Sequence, residues 1–137
     1  VQTCALPILH LVNAHQKRPS EISGGMQKRV AIARAIVNNP KYLFCDEPNS
    51  GLDPKTSIVI DQLIKEITIE MNVTTIIVTH DMNSVIEIGD NIMFVHKGEN
   101  WWTGDKTKVL NSTNNELIDF VFASEFLKKT FKASTGR

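Results

Sequence analysis

Tyr42-Leu43-Phe44-Cys45-Asp46-Glu47-Pro48 decides how the rest of the chain is read. Four apolar residues in an unbroken run, with charge only after them, form the pattern of a strand covered on both faces in a parallel sheet. Two carboxylates then sit at its carboxyl end. Adjacent carboxylates are costly in an apolar setting unless solvent, a cation or another partner reaches them. A solvated strand end is the commoner fate of an Asp-Glu pair, but the apolar run before Asp46 and the proline after Glu47 favour a built site.

Upstream, Met26, Val30, Ala33 and Val37 recur at helical spacing, with Ser23 at the start and Pro40 closing the segment after Asn38-Asn39. Downstream, Asp53-Pro54 supplies an N-cap and a proline in the first helical position. Ile60, Leu63, Ile64, Ile67 and Met71 give the buried stripe of a long helix. Thr74 to Thr79 is the next strand, ending at His80. Asp81 caps a short helix through Ile88, with Gly89 placed to end it. Ile92 to Val95 is a third strand, and Lys97-Gly98-Glu99-Asn100 turns the chain into Trp101-Trp102-Thr103, where period-two alternation points one indole inward and the other outward. A polar connector then leads to a helix expected over 113–132. Thr113 and Glu116 fit its capping box, and Leu117, Phe120 and Val121, continued by Phe126 and Leu127, its packing face. Alternating strands and helices predict an α/β fold, a parallel sheet with flanking helices.

Fifteen Lys and Arg balance fifteen Asp and Glu, so no broad nucleic-acid footprint is expected. No apolar run approaches the roughly 20 residues needed to cross a bilayer. Cys4 and Cys45 are too few for a disulfide framework, and Cys45 inside an apolar strand reads as a structural thiol. His10, His15 and His96 have no context that points to chemistry. Residues 1–8, Val1-Gln2-Thr3-Cys4-Ala5-Leu6-Pro7-Ile8, differ in character from the remainder of the chain and read like a translated sequencing-library adapter, leaving 9–137 as one domain.

Ser23-Gly24-Gly25-Met26-Gln27 puts a capping hydroxyl and two residues without side chains at a helix start, where unpaired N–H groups can approach an anion. Alone, such a tripeptide more often marks an ordinary loop. Lys28, Arg29 and Ala31-Ile32-Ala33-Arg34-Ala35 come directly after it. Then come Asp46-Glu47, Ser50-Gly51-Leu52-Asp53 and Thr79-His80-Asp81. Taken in this order, the segments resemble the signature, Walker B, D-loop and switch-histidine elements of the ATP-binding subunits of ABC transporters. The resemblance runs from about Pro19 to Gly104. No G-x-x-x-x-G-K-S/T phosphate loop occurs in the 137 residues, so the resemblance is to the second part of such a P-loop NTPase-like domain, with the part that carries Walker A missing.

The resemblance implies ATP and Mg²⁺ as ligands. It casts Asp46 as the Mg²⁺ residue, acting through water, Glu47 as the base for the attacking water, and His80 as the contact to the terminal phosphate. Ser23, Gly24, Gly25, Met26 and Gln27 would act in trans on ATP held by a second copy, and Asp53 would lie in the segment that crosses to that copy. The implied partners are an identical ATP-binding subunit and an integral-membrane permease, with the ATPase on the cytoplasmic face of the inner membrane. Met26 in place of the usual glutamine, together with the C-terminal helix, is similar to the ATPase of Mla/MCE-associated phospholipid transport systems, which adds an MCE lipid-binding protein as an indirect partner. With no phosphate loop of its own, the 137-residue chain is expected to be inactive. The alternatives are a soluble ABC ATPase acting on DNA or ribosomes, which neutral charge and the lack of long coiled coils weigh against, and a non-catalytic pairing subunit, which the intact Asp46, Glu47 and His80 weigh against.

Overall fold

The structure, a computed structural model, describes residue 11 and residues 16–121. The chain divides into two compact units, one ending at Ile88 and the other beginning at Gly89. The expected segments at 1–8 and beyond Val121 lie outside the described residues, as do Cys4, His10 and His15.

In the first unit a short 3-10 turn, Pro19–Glu21, precedes helix α1, Gly24–Ile36. Strand β1, Tyr42–Asp46, is followed by helix α2, Pro54–Glu70, strand β2, Thr74–Val78, and the short helix α3, Met82–Ile88. β1 and β2 pair in parallel from Tyr42 opposite Thr74 to Asp46 opposite Val78. α2 starts where the sequence predicts: Asp53 accepts bonds from the Lys55 and Thr56 amides, and Pro54, which has no N–H to leave unpaired, comes next. Its stripe of Ile60, Leu63, Ile64 and Ile67 joins Ile32 and Ile36 of α1, Leu43 of β1, and Leu11 and Val73 in one buried cluster. Thr68 on α2 also meets Thr75 of β2, hydroxyl to hydroxyl at 2.6 Å. The sheet is thereby packed on one face.

In the second unit β3, Ile92–His96, pairs with β4, Glu99–Gly104, and both strands leave the parallel pattern expected of the third strand: they form an antiparallel hairpin. The turn at Lys97-Gly98 makes this possible, with left-handed φ of 51° and 80° at its two residues. The register skips Trp101, because Phe94 faces Trp102 while Val95 faces Asn100. This bulge breaks the expected in-and-out alternation, and both indoles are half-buried. Trp101 lies against His96, with centroids 4.6 Å apart, and Lys97 sits over its ring. Helices α4, Lys106–Leu110, and α5, Asn115–Val121, complete the unit. The α5 cap is Asn114, which accepts from the Leu117 amide at 2.9 Å, rather than the expected Thr113.

Candidate functional site

Three loops carry the residues singled out in the sequence, all within the first unit. Ser23 is the N-cap of α1 and accepts a bond from the Met26 amide. The two glycines after it are explained by packing as well as by access to the backbone. A Cβ on Gly25 would lie 2.6 Å from the Thr56 methyl, and one on Gly24 would lie 3.3 Å from Leu52. The start of α1 is thus pressed against Leu52 and the start of α2, which a side chain at Gly25 would not allow. Met26 is half-buried and packs on the core cluster, while Gln27 is exposed and turns its amide back to the Pro19 and Ile22 carbonyls.

Asp46 ends β1 with its side chain exposed. Glu47, the next residue, leaves extended geometry for a left-handed φ of 45°. That conformation costs a non-glycine residue on the order of 1–3 kcal/mol and persists only where surrounding bonds enforce it. Here several bonds do so. The Glu47 amide donates to the Val78 carbonyl at 2.9 Å. Its own carbonyl accepts from the Ser50 amide and, at 3.1 Å, from the Lys28 ammonium on α1. The turn carries the Glu47 carboxylate to His80, where Oε1 accepts from the backbone amide at 3.1 Å and lies 2.7 Å from ring Nδ1. The hydrogen bond to Glu47, then its charge, holds the His80 imidazole above the ordinary histidine range.

These neighbours have the chemistry that nucleotide hydrolysis uses. Asp46 and Glu47 stand at the carboxyl end of a parallel strand, where ligands of open α/β sheets bind. Among the described residues no group of three or more His, Cys, Asp or Glu side chains gathers to hold a metal. One exposed carboxylate suits Mg²⁺ all the same, since that ion keeps its waters and binds through one or two carboxylates together with substrate phosphates. Burial pushes the Cys45 thiol up, consistent with an unreactive structural cysteine on the packed face of β1.

Three polar residues at this site do not stand out in the sequence: Asn49, Asp61 and Ser84. Asn49 Nδ2 donates to Asp61 Oδ1 at 2.7 Å and to Ser84 Oγ at 2.9 Å, and Ser84 Oγ donates to Asp61 Oδ2 at 2.9 Å. The one available signal is Asp61, a carboxylate directly beside the apolar stripe of α2, where helical spacing places it next to buried Ile64.

Residues 4–50 match the protein family described as ABC transporter. The methionine import ATP-binding protein MetN of Mannheimia succiniciproducens is 36% identical over 132 residues, 96% of this chain and 37% of that protein. The MetN 1 protein of Oceanobacillus iheyensis is 40% identical over 85% of this chain and 36% of its own length. The chain thus spans little more than a third of these curated relatives. Among solved structures, the dimeric post-hydrolysis state of the ATP-binding cassette MJ0796 bound to ADP and Pi superposes with a TM-score of 0.64 at 37% identity, over 74% of this chain and 44% of that one. MJ1267, an ATP-binding cassette of an ABC transporter, gives 0.74 at 26% identity over 85% and 46%. The fold is that of ABC ATPase cassettes, α/β with a parallel sheet and flanking helices.

Proposed function

We propose that this chain, which carries the fold and part of the sequence of an ABC transporter ATP-binding domain, belongs to the ATP-hydrolysing subunit of a bacterial transporter. The observation that carries the proposal is Glu47: a carboxylate at a strand end, turned by a left-handed backbone onto both the amide and the ring of His80. In this role Glu47 orients and deprotonates the attacking water, and His80 holds the terminal phosphate in line. Asp46 would hold Mg²⁺, which would supply charge neutralisation at the phosphates. Ser23, Gly24, Gly25 and Gln27 present the start of α1 to ATP held by a second copy, with Met26 supporting that turn from the core, and Asp53 anchors the segment that faces the partner. An integral-membrane permease would couple hydrolysis to transport and hold the subunit at the membrane; among the described residues no helix is long and apolar enough to cross a bilayer.

For the cargo, the MetN relatives favour import of a small solute of the methionine type. The phospholipid reading rests on Met26 and the C-terminal segment, and it draws no support from relatives that are methionine import ATPases. An MCE lipid-binding partner has no more support.

The test is Glu47→Gln in the full-length protein. Turnover should fall by at least about 100-fold, while ATP-dependent pairing of subunits persists. Unchanged hydrolysis would remove Glu47 from the role of base. The 137-residue chain alone should turn over no ATP, because it contains no phosphate-loop lysine.

A further inference from the structure

Behind the Glu47–His80 contact lies a second polar cluster that the hydrolysis scheme does not use. Asn49, Asp61 and Ser84 are 9%, 3% and 1% exposed, and three mutual hydrogen bonds join them. They come from three different segments. Asn49 lies in the loop that carries Glu47, Ser84 in the first turn after the loop that carries His80, and Asp61 on α2, which packs against the helix that carries Ser84.

A buried polar cluster of this kind is an expensive way to fill space. Apolar residues of similar volume are often neutral or stabilising in such places. The cluster is not even fully satisfied, since Asn49 Oδ1 is buried with no partner among the described residues. Burial also pushes the Asp61 carboxyl up, against the bonds from Asn49 and Ser84 that favour its charged form. Directional bonds supply what apolar contacts cannot: a fixed distance and angle between the segments they join. That is what the site in front needs, because Glu47 sits in a strained left-handed conformation and reaches a histidine from a separate loop.

We propose that Asn49, Asp61 and Ser84 are positioning residues, a buried knot that holds the Glu47 loop and the His80 loop at the separation where carboxylate meets imidazole. The knot touches neither nucleotide nor metal and acts through the two loops. The proposal rests on the hydrolytic role assigned to Glu47 and His80.

The experiment compares Asp61→Leu and Asp61→Asn in the full-length protein by ATP turnover, thermal unfolding and crystal structure. Asp61→Leu should stay folded, keep its KM, lose about 10- to 100-fold in kcat and show Glu47 withdrawn from His80. Asp61→Asn can still accept from Asn49 and bond Ser84 by reversing one donor, so it should recover most of the rate. Should Asp61→Leu fail to fold, the triple variant N49L/D61L/S84A, which leaves no orphaned polar group, carries the same expectation. A folded Asp61→Leu or triple variant with wild-type kcat and an intact Glu47–His80 contact overturns the proposal. So does an Asp61→Asn variant as slow as Asp61→Leu. Absence of ATP hydrolysis in the wild-type protein would instead overturn the assigned activity; the Glu47–His80 separation in the two crystal structures then decides the knot by itself.

Discussion

The two faces of the β1–β2 sheet are built from similar residues and have opposite surroundings. On one face Leu43, Cys45 and Ile77 join the cluster beneath α1 and α2, and Leu43 is only 3% exposed. On the other, Tyr42, Phe44, Ile76 and Val78 stand 45–71% exposed. Parallel sheets are ordinarily covered on both faces, and the second face is bare in a chain that spans under half of the cassettes it superposes on. The packed face holds the strands in register. The site is placed at the end where the packed face meets the loops, with Asp46 continuing the open face by the strand period and Glu47 turned out of that period onto His80. Hydrophobic pattern alone cannot tell these faces apart; the helices packed on one of them do.

The harshest way to break the contrast is to cut into the packed side. Ile60 is 0% exposed at the centre of the α2 stripe. Ile60→Ala should destabilise the unit by about 2–5 kcal/mol, from lost transfer free energy together with the cavity left behind. Urea unfolding monitored by far-UV circular dichroism measures it. A loss below about 1 kcal/mol would mean that the core can collapse around the site and that the packed face is not what holds the sheet.

How much of this is legible in the sequence depends on which signals are local. The helix starts at Ser23 and Asp53 and the two parallel strands are readable, because capping, proline placement and apolar runs act over a few residues. The turn from Ile92–Val95 into Trp101-Trp102 is readable too, but not that the two strands it joins pair with each other in antiparallel fashion. A strand's partner is a non-local property, and the two positive φ values at Lys97 and Gly98 that turn the chain back belong to a turn that the sequence alone marks without its geometry. Asp46, Glu47 and His80 stand out through order and spacing, whereas Asn49, Asp61 and Ser84 do not. They meet only when three segments fold onto one another, and Ser84 in a short helix has no pattern that separates it from a surface serine. The cap of α5 falls one residue away from the expected threonine, on Asn114, a shift of the size at which helix ends ordinarily vary.

A smaller effect sits at the sheet end. Because contact with Glu47 raises the His80 pKa, the protonated imidazole is favoured in the folded state. That contribution is fully present below the ordinary unfolded value of about 6.5 and is lost as pH rises through the higher folded value. His80 is 77% exposed at its side chain, so solvent screens the pair and its share of stability is modest. Histidine titration by nuclear magnetic resonance should place His80 above the ordinary range, and Glu47→Gln should bring it down. Identical titration curves in the two proteins would show that the contact is not formed in solution.

The smallest expected effect is also the one that bears most directly on the contrast between faces. Phe44 lies opposite Ile76 on the open face and is 71% exposed. Replacing it with threonine exchanges one good strand former for another and leaves the ladder hydrogen bonds untouched, since these are made by the backbone. What it removes is apolar area that folding has hardly withdrawn from water, so stability should change by no more than about 0.5 kcal/mol. Solubility should respond instead, because Tyr42, Phe44, Ile76 and Val78 form one contiguous apolar surface of the kind that drives association. Sedimentation velocity across a concentration series should show less self-association for Phe44→Thr than for the wild type, at nearly unchanged urea midpoint. If the midpoint fell as far as for Ile60→Ala, Phe44 would be packed in solution and the two faces would not differ in the way described.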